Sequence, residues 1–509
     1  MSTVKSPKPR RFSRIAPDND DSASFFTSSE HLPNESAIES SASSIHLDVE
    51  TPKSSYIPPW TEPYIIGVAG NSGSGKTSIS QKIIQELNQP WTILLSFDNF
   101  YNPLNEEERK QAFNNNFDFD TPESLDLDLL VETVKSLKSG EKTQIPVYSF
   151  QHHNRTSKST TIYGANVIII EGIYALYDQR LLDLMDLKIY VDTDLDICLS
   201  RRLTRDILYR GRDLAGAIKQ WETFVKPNAV KYVNPTMNNA DLVIPRGLDN
   251  SIAINLMIKH IQKQLALKSS QHLKYLKELG VNIDFDIAKF NIKILPTNNQ
   301  TRGINSILFD VSTERSDFIF YFNRISVLII ETALEFITNY KPVRINHNYD
   351  GLRLMDEIMA VNIIRSGDCF MSSIKKTFPE ISIGKLLIQS DSRTGEPQLH
   401  FDSLSSEMAR GKKILLFDSQ IISGAASIMA IQVLIDHKVA ESDIILCSYL
   451  STEIGLRRIV NVFPKVNVVV GKMSSIEIGE GKWYNEENFK DSDWHFRNRF
   501  IDSLYFGTD

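Results

Sequence analysis

Cysteine is almost missing from this sequence: Cys198, Cys369 and Cys447 are the only three among 509 residues, far apart and with no C-x-x-C spacing. That excludes a disulfide framework and offers no zinc-ligand pattern, so reduced thiols and a cytoplasmic setting are expected. Long apolar runs are also lacking. No stretch approaches the ~20 residues that a spanning helix needs, and the N-terminus has no hydrophobic block of the secretory kind, so a soluble chain is expected. Excess positive charge is absent as well. The formal net charge of -7 argues against a surface that coats polyanions, and neither nucleic acid nor membrane is an expected partner.

What is present is material for two cores, since 41% hydrophobic residues in a chain of 509 exceed what one compact core accommodates. Residues 1–59 are rich in Ser, Pro, Asp and Glu without apolar periodicity, which predicts a disordered tail. From Tyr64, apolar runs at 65–69, 93–97, 167–170, 189–191 and 242–244 alternate with amphipathic stretches, and a helix is expected over about 250–280. Strand and helix in alternation predict an α/β domain, a parallel sheet with helices on both faces, over residues 60–275. The alternation resumes in a second α/β domain over 276–509, with strands at 414–417, 444–447 and 466–470 and a buried helix around 326–337. Asn298-Asn299-Gln300-Thr301-Arg302-Gly303 reads as a loop.

Gly70-Asn71-Ser72-Gly73-Ser74-Gly75-Lys76-Thr77 satisfies G-x-x-x-x-G-K-S/T between a strand and an amphipathic stretch, the context this phosphate cradle requires. Backbone N–H groups converge there on phosphate oxygens, Lys76 brings positive charge to the β- and γ-phosphates, and the Thr77 hydroxyl can ligate Mg²⁺. Glu171 ends the apolar run 167–170 at the sheet edge where ligands sit in α/β folds, and is the second Mg²⁺ candidate. A P-loop identifies a nucleotide site without identifying the reaction. Asp98, just after the 93–97 run, should emerge at the same edge and could accept a hydroxyl proton as a phosphoryl group departs.

Four successive segments carry a resemblance: Gly70 to Thr77, Ser96-Phe97-Asp98-Asn99-Phe100-Tyr101, Phe117-Asp118-Phe119-Asp120-Thr121-Pro122, and Pro146 to Arg155 through Tyr148-Ser149-Phe150-Gln151-His152-His153. In order and spacing they resemble the motifs of uridine-cytidine kinases, and Arg201-Arg202-Leu203-Thr204-Arg205-Asp206, Arg210-Gly211-Arg212-Asp213 and Ile244-Pro245-Arg246-Gly247 extend the likeness over about 64–265. It implies a P-loop kinase transferring phosphate from ATP, with Mg²⁺, to the 5′-hydroxyl of uridine or cytidine. Asp98 becomes the base and a metal-shell ligand, and Asp120 and Arg202 hold the ribose. Tyr101, Phe119, Tyr148, Phe150 and His153, with Arg212 and Gln220 nearby, form the base pocket. Aromatic faces stack on a pyrimidine and a His reads its exocyclic 4-position. Arg205 and Arg210 are expected in a lid over the triphosphate, Arg201 on a solvated face paired with acids, and Asp249 near the adenine and ribose of ATP. The resemblance also implies an oligomer restrained by pyrimidine triphosphates. A kinase for pantothenate or ribulose phosphate would offer those rings nothing to stack on; a nucleotide sensor with a decayed site would be expected to have lost one of Lys76, Thr77, Asp98 or Glu171.

The second half resembles uracil phosphoribosyltransferases through Ile364-Arg365-Ser366-Gly367, Ser392-Arg393-Thr394-Gly395, the run from Ile414 to Ser427, and Tyr505-Phe506-Gly507-Thr508-Asp509. An active loop of that family reads close to D-P-x-x-A-T-G-G-S/T. Here Asp418 and Gly424 remain, but Ile422 replaces a small residue, Ala425 replaces a glycine and Ala426 lacks a hydroxyl, while Asp502-Ser503-Leu504 stands where G-D-R is usual. A Cβ where backbone must approach phosphate and a lost hydroxyl donor both weaken anion binding. The expectation is a retained fold without transferase catalysis, with a bifunctional enzyme as the alternative.

Overall fold

Five apolar runs become a parallel sheet in the computed structural model, which describes residues 56–87, 92–210, 213–279, 285–310, 312–390, 396–404 and 409–474. The first half contains β1 (Tyr64–Ala69), β2 (Thr92–Ser96), β3 (Thr143–Ser149), β4 (Asn154–Ile162), β5 (Val167–Glu171), β6 (Leu187–Asp192) and β7 (Leu242–Pro245). Strands β2-β5-β1-β6-β7 form the sheet, all parallel, while β3 and β4 pair as a separate antiparallel hairpin. Every residue of β1 and β5 is buried, as expected of central strands covered on both faces. Ile65, Ala69, Ile168 and Ile170 pack toward the Leu127–Lys138 helix. Ile66, Val68, Val167 and Ile169 pack on the opposite face against Ile79 and Ile83 of the Lys76–Leu87 helix and Ile254 and Ile261 of the Ser251–Glu278 helix. Each such aliphatic side chain contributes roughly 1.5–3 kcal/mol by leaving water.

The second half contains β8 (Ile292–Ile294), β9 (Tyr340–Asn346), β10 (Tyr349–Leu354), β11 (Ile358–Ile364), β12 (Ser382–Ser390), β13 (Pro397–Asp402), β14 (Lys413–Ile421), β15 (Ile444–Ser451) and β16 (Asn467–Met473). Its seven-stranded sheet runs β13-β12-β11-β14-β15-β16-β8, parallel except for β13, and β9 and β10 form a hairpin apart from it. One face packs on the Arg315–Leu334 helix through Phe318, Phe322, Ile325 and Ile329. The other packs on the Ala425–Asp436 and Glu453–Val462 helices, and its core takes in Tyr56, Trp60 and Tyr163 from the first half. Among the described residues no helix is long and apolar enough to cross a membrane.

One sequence expectation is corrected. Residues 298–303 are not a loop but the start of the Asn299–Phe309 helix. The Asn298 side chain accepts from the Thr301 N–H (2.9 Å) and Thr301 Oγ1 accepts from the Asn298 N–H (3.0 Å), a reciprocal cap. Polar residues that favour turns favour helix starts for the same reason, and the buried stripe Thr301, Ile304, Leu308 begins inside the polar run.

Candidate active site

The cradle is built by backbone that only glycine adopts comfortably. Gly73 sits at φ +89, and a Cβ there would lie 2.3 Å from the Cys198 carbonyl oxygen, so the loop presses against the Leu195–Arg210 helix. Lys76 opens the helix that follows and is buried; its Nζ donates to the Asn71 carbonyl (2.9 Å). Burial lowers the Lys76 pKa, while Glu171 and Asp98 act to raise it.

Those two acids arrive from adjacent strands. In the parallel register Ser96 of β2 stands beside Glu171 of β5, and Glu171 beside Val68 of β1, so three strand ends reach one edge. Glu171 is buried and accepts from Ser96 Oγ (2.9 Å) and Thr77 Oγ1 (3.2 Å). Burial pushes its pKa up, and Lys76 and the two hydroxyls pull it back. Asp98 sits in the 3-10 turn Phe97–Phe100, whose start is capped by Ser96 Oγ accepting the Asp98 N–H (3.3 Å). Hydroxyl and carboxylate oxygens from Thr77, Glu171 and Asp98 on one cleft suit a hard cation such as Mg²⁺. Among the described residues no group of three or more His, Cys, Asp or Glu forms a metal cage.

The same cleft is walled by Tyr101, Phe119, Tyr148, Phe150 and His153, and Asp120, Arg202, Arg205 and Gln220 line it as well. Tyr101 and Tyr148 rings lie 5.1 Å apart, and Phe119 stacks on His153 at 5.3 Å and 22°. Neither Phe119 nor Phe150 is core: the first is half-buried, the second 36% exposed. Tyr148, by contrast, is buried in the wall despite its polar neighbours. Arg202 is buried; its Nη1 donates to Ser72 Oγ (2.9 Å) and lies 3.5 Å from Asp120 Oδ1, tying cradle to acceptor pocket. Arg201 pairs with an acid, Asp249, at 3.6 Å, and its Nη1 also donates to the Ser74 carbonyl (3.4 Å), so Asp249 is brought beside the cradle through Arg201. Arg210 ends the Leu195–Arg210 helix; its side chain, and Arg212 altogether, lie outside the described residues.

Further residues complete the site, Asp118 and Phe117 from a motif quoted above and the others without a local pattern. Asp118 accepts the Asp120 N–H (2.9 Å) and is itself held by Asn228 Nδ2 at 3.0 and 2.8 Å. The Tyr174 hydroxyl donates to the Asp120 carbonyl. Phe117, Leu125, Ile173 and Phe224 complete the apolar lining. Asn228 and Phe224 come from a stretch far along the chain, where only the fold could reveal them.

In the second half, Asp418 of β14 is buried, accepts from Ser366 Oγ (2.6 Å) and Ser427 Oγ (3.3 Å), and has its pKa pushed up to about 6, chiefly by burial. Gly424, at φ +80, precedes the Ala425–Asp436 helix. The loop carbonyls are occupied from within: Arg458 Nη1 donates to Ser423 O (3.0 Å) and Thr452 Oγ1 to Ile422 O (2.5 Å). Ser392 to Gly395, Asp502 to Leu504 and Tyr505 to Asp509 lie outside the described residues.

A phosphate cradle, carboxylates at the same sheet edge and two arginines of one helix lining the cleft define a phosphotransferase of the P-loop kinase class. Residues 65–253 match the Phosphoribulokinase / Uridine kinase family and residues 295–476 the Uracil phosphoribosyltransferase family. The chain is 50% identical over 507 residues to a uridine kinase of Saccharomyces cerevisiae, covering 97% of this chain and 99% of that one. A uridine kinase of Schizosaccharomyces pombe is 38% identical, covering 83% of this chain and 93% of its own. Uridine-cytidine kinase-like 1 of Mus musculus is 40% identical, covering 81% and 77%. The protein belongs to the uridine kinase family, in the form that carries a uracil phosphoribosyltransferase-like domain after the kinase.

Proposed function

We propose that the protein transfers the γ-phosphoryl group of ATP to the 5′-hydroxyl of uridine and cytidine, giving UMP and CMP for pyrimidine salvage. The observation that carries this is the single cleft in which Lys76, Thr77, Glu171 and Asp98 meet at one sheet edge beside a ring-lined pocket. In this reading Asp98 accepts the hydroxyl proton, Asp120 and Arg202 orient the ribose, and Tyr148, Phe150 and His153 hold the base. Lys76 and Arg205 stabilise charge on the transferring group. Thr77, Asp98 and Glu171 would hold Mg²⁺, which when bound neutralises charge on the phosphates. The relatives named as uridine and uridine-cytidine kinases support the choice of nucleoside. Coupled-enzyme turnover of purified protein with ATP, Mg²⁺ and each nucleoside tests it. Asp98→Asn should cost about 10²–10⁴ in kcat; absence of turnover with both nucleosides in folded protein would refute it.

The second half is proposed to be a phosphoribosyltransferase fold without catalysis. The substitutions Ile422, Ala425 and Ala426 and the internal bonding of the Ile422 and Ser423 carbonyls support this. UMP formation from uracil and phosphoribosyl diphosphate would overturn it.

A further inference from the structure

The helix over the cleft holds an acid for which phosphoryl transfer has no direct use. Asp206, on the Leu195–Arg210 helix, is 0% exposed. Its Oδ1 accepts from Arg205 Nε (3.0 Å) and Nη2 (2.9 Å), and its Oδ2 lies 3.5 Å from Arg202 Nε. The Arg202 pair has the i,i+4 spacing of one helix face; the Arg205 pair does not, because adjacent helical residues point apart, so the guanidinium must fold back to reach its neighbour. A carboxylate this buried is costly unless cations neutralise it, and two guanidiniums this close repel unless an anion stands between them. Each requirement meets the other. Arg202 continues the chain to Ser72 of the cradle and toward Asp120, and Arg205 lines the cleft.

We propose that Asp206 is a positioning residue for the transfer, which fixes the guanidiniums of Arg202 and Arg205 so that one bridges cradle and acceptor pocket while the other faces the phosphoryl group. Asp206 does not itself line the cleft. This rests on the kinase reading above. Its test is steady-state kinetics of the full chain with ATP and uridine for wild type, Asp206→Asn, Asp206→Glu, Arg205→Ala and the double variant Asp206→Asn/Arg205→Ala, with thermal unfolding measured on each. Asp206→Asn is expected to lose about 10–100-fold in kcat/KM, the cost typical of a residue acting through another. Asp206→Glu, which restores the anion, is expected to recover at least a part of that loss. The double variant should lose less than the product of the two single losses, since residues acting as a unit are non-additive, and what it loses beyond Arg205→Ala is the part of Asp206 that acts through Arg202. An acid that merely supports the fold would instead give losses that multiply, and no recovery tied to charge. Multiplicative losses, or parental kinetics in Asp206→Asn, overturn the inference alone. An inactive wild type overturns the kinase reading and the inference with it.

Discussion

Glu171 is a carboxylate held where ionisation is costly, and its neighbours decide how costly. Burial raises its pKa, and Lys76, Ser96 and Thr77 oppose that. Removing the Ser96 hydroxyl takes away a donor that favours the ionised form, so the pKa should rise further. In Ser96→Ala, the acid limb of the kcat/KM profile should therefore move to higher pH; a uniform loss at all pH values would point instead to the Asp98 turn, which the same hydroxyl caps. Asp418 offers the matching case for stability. Its pKa rises from 3.8 to about 6 in the fold, so the folded state binds more protons than the unfolded one between those values. The protonated form's contribution is present below the unfolded value and is lost as pH rises through the folded one, on the order of 3 kcal/mol in full. Asp418→Asn cannot ionise. Its stability relative to wild type should increase from about pH 4 to about pH 7, as read by denaturant midpoints at each pH.

At the scale of the element, the hairpin β3–β4 presents Tyr148, Phe150 and His153 from outside the main sheet, and needs an anchor. Arg155 supplies it: Nε donates to the Tyr101 carbonyl (2.8 Å), and Nη2 to the Phe100 carbonyl (3.2 Å) and Asp126 Oδ2 (3.1 Å). One side chain thus ties the hairpin to the turn that carries Asp98 and Tyr101. Arg155→Ala removes charge-assisted bonds worth roughly 1.5–3 kcal/mol each, and should raise the KM for uridine about tenfold or more while leaving the KM for ATP near its parental value. A change in both would place the effect on the sheet edge as a whole. Much of this architecture was legible beforehand, for a physical reason. In a parallel sheet the carboxyl ends of the strands share an edge, so Glu171 and Asp98, each at the end of an apolar run, could be placed at one edge from strand direction alone, while their adjacency needed the strand order. The grip of Asn228 on Asp118 and the fold-back of Arg205 onto Asp206 depend on tertiary packing, which leaves no period in the sequence. The polar run at 298–303 misled because turn and helix cap draw on the same residues.

Across the whole molecule, the two halves share buried polar groups as well as apolar surface. Trp60 Nε1 (3.2 Å) and the Tyr163 hydroxyl (2.7 Å), both from the first half, donate to the same Asp436 oxygen, at the end of the Ala425–Asp436 helix. Beside them the buried His437 pairs with Asp402 at 2.6 Å. Tyr163 directly follows β4, so the hairpin that walls the nucleoside pocket ends in a bond to the second half. Trp60 and Asp436 stand 376 residues apart, a distance over which no local pattern could have paired them. An acceptor shared by two buried donors is replaced by neither water nor an apolar group without loss. Asp436→Ala leaves both donors without that acceptor, at about 1–3 kcal/mol for each, whereas Gln432→Ala removes a buried side chain and a bond to Asp436 within its own helix but leaves both donors their acceptor, and should cost less. Thermal unfolding will rank the two variants. Hydrogen exchange locates the damage: in Asp436→Ala, uptake should rise in residues 154–163 of the first half together with residues 425–436 of the second. A rise confined to the second half would mean that Asp436 serves its own helix and that other contacts join the halves, among them those of Ser269 and His272 with Glu396.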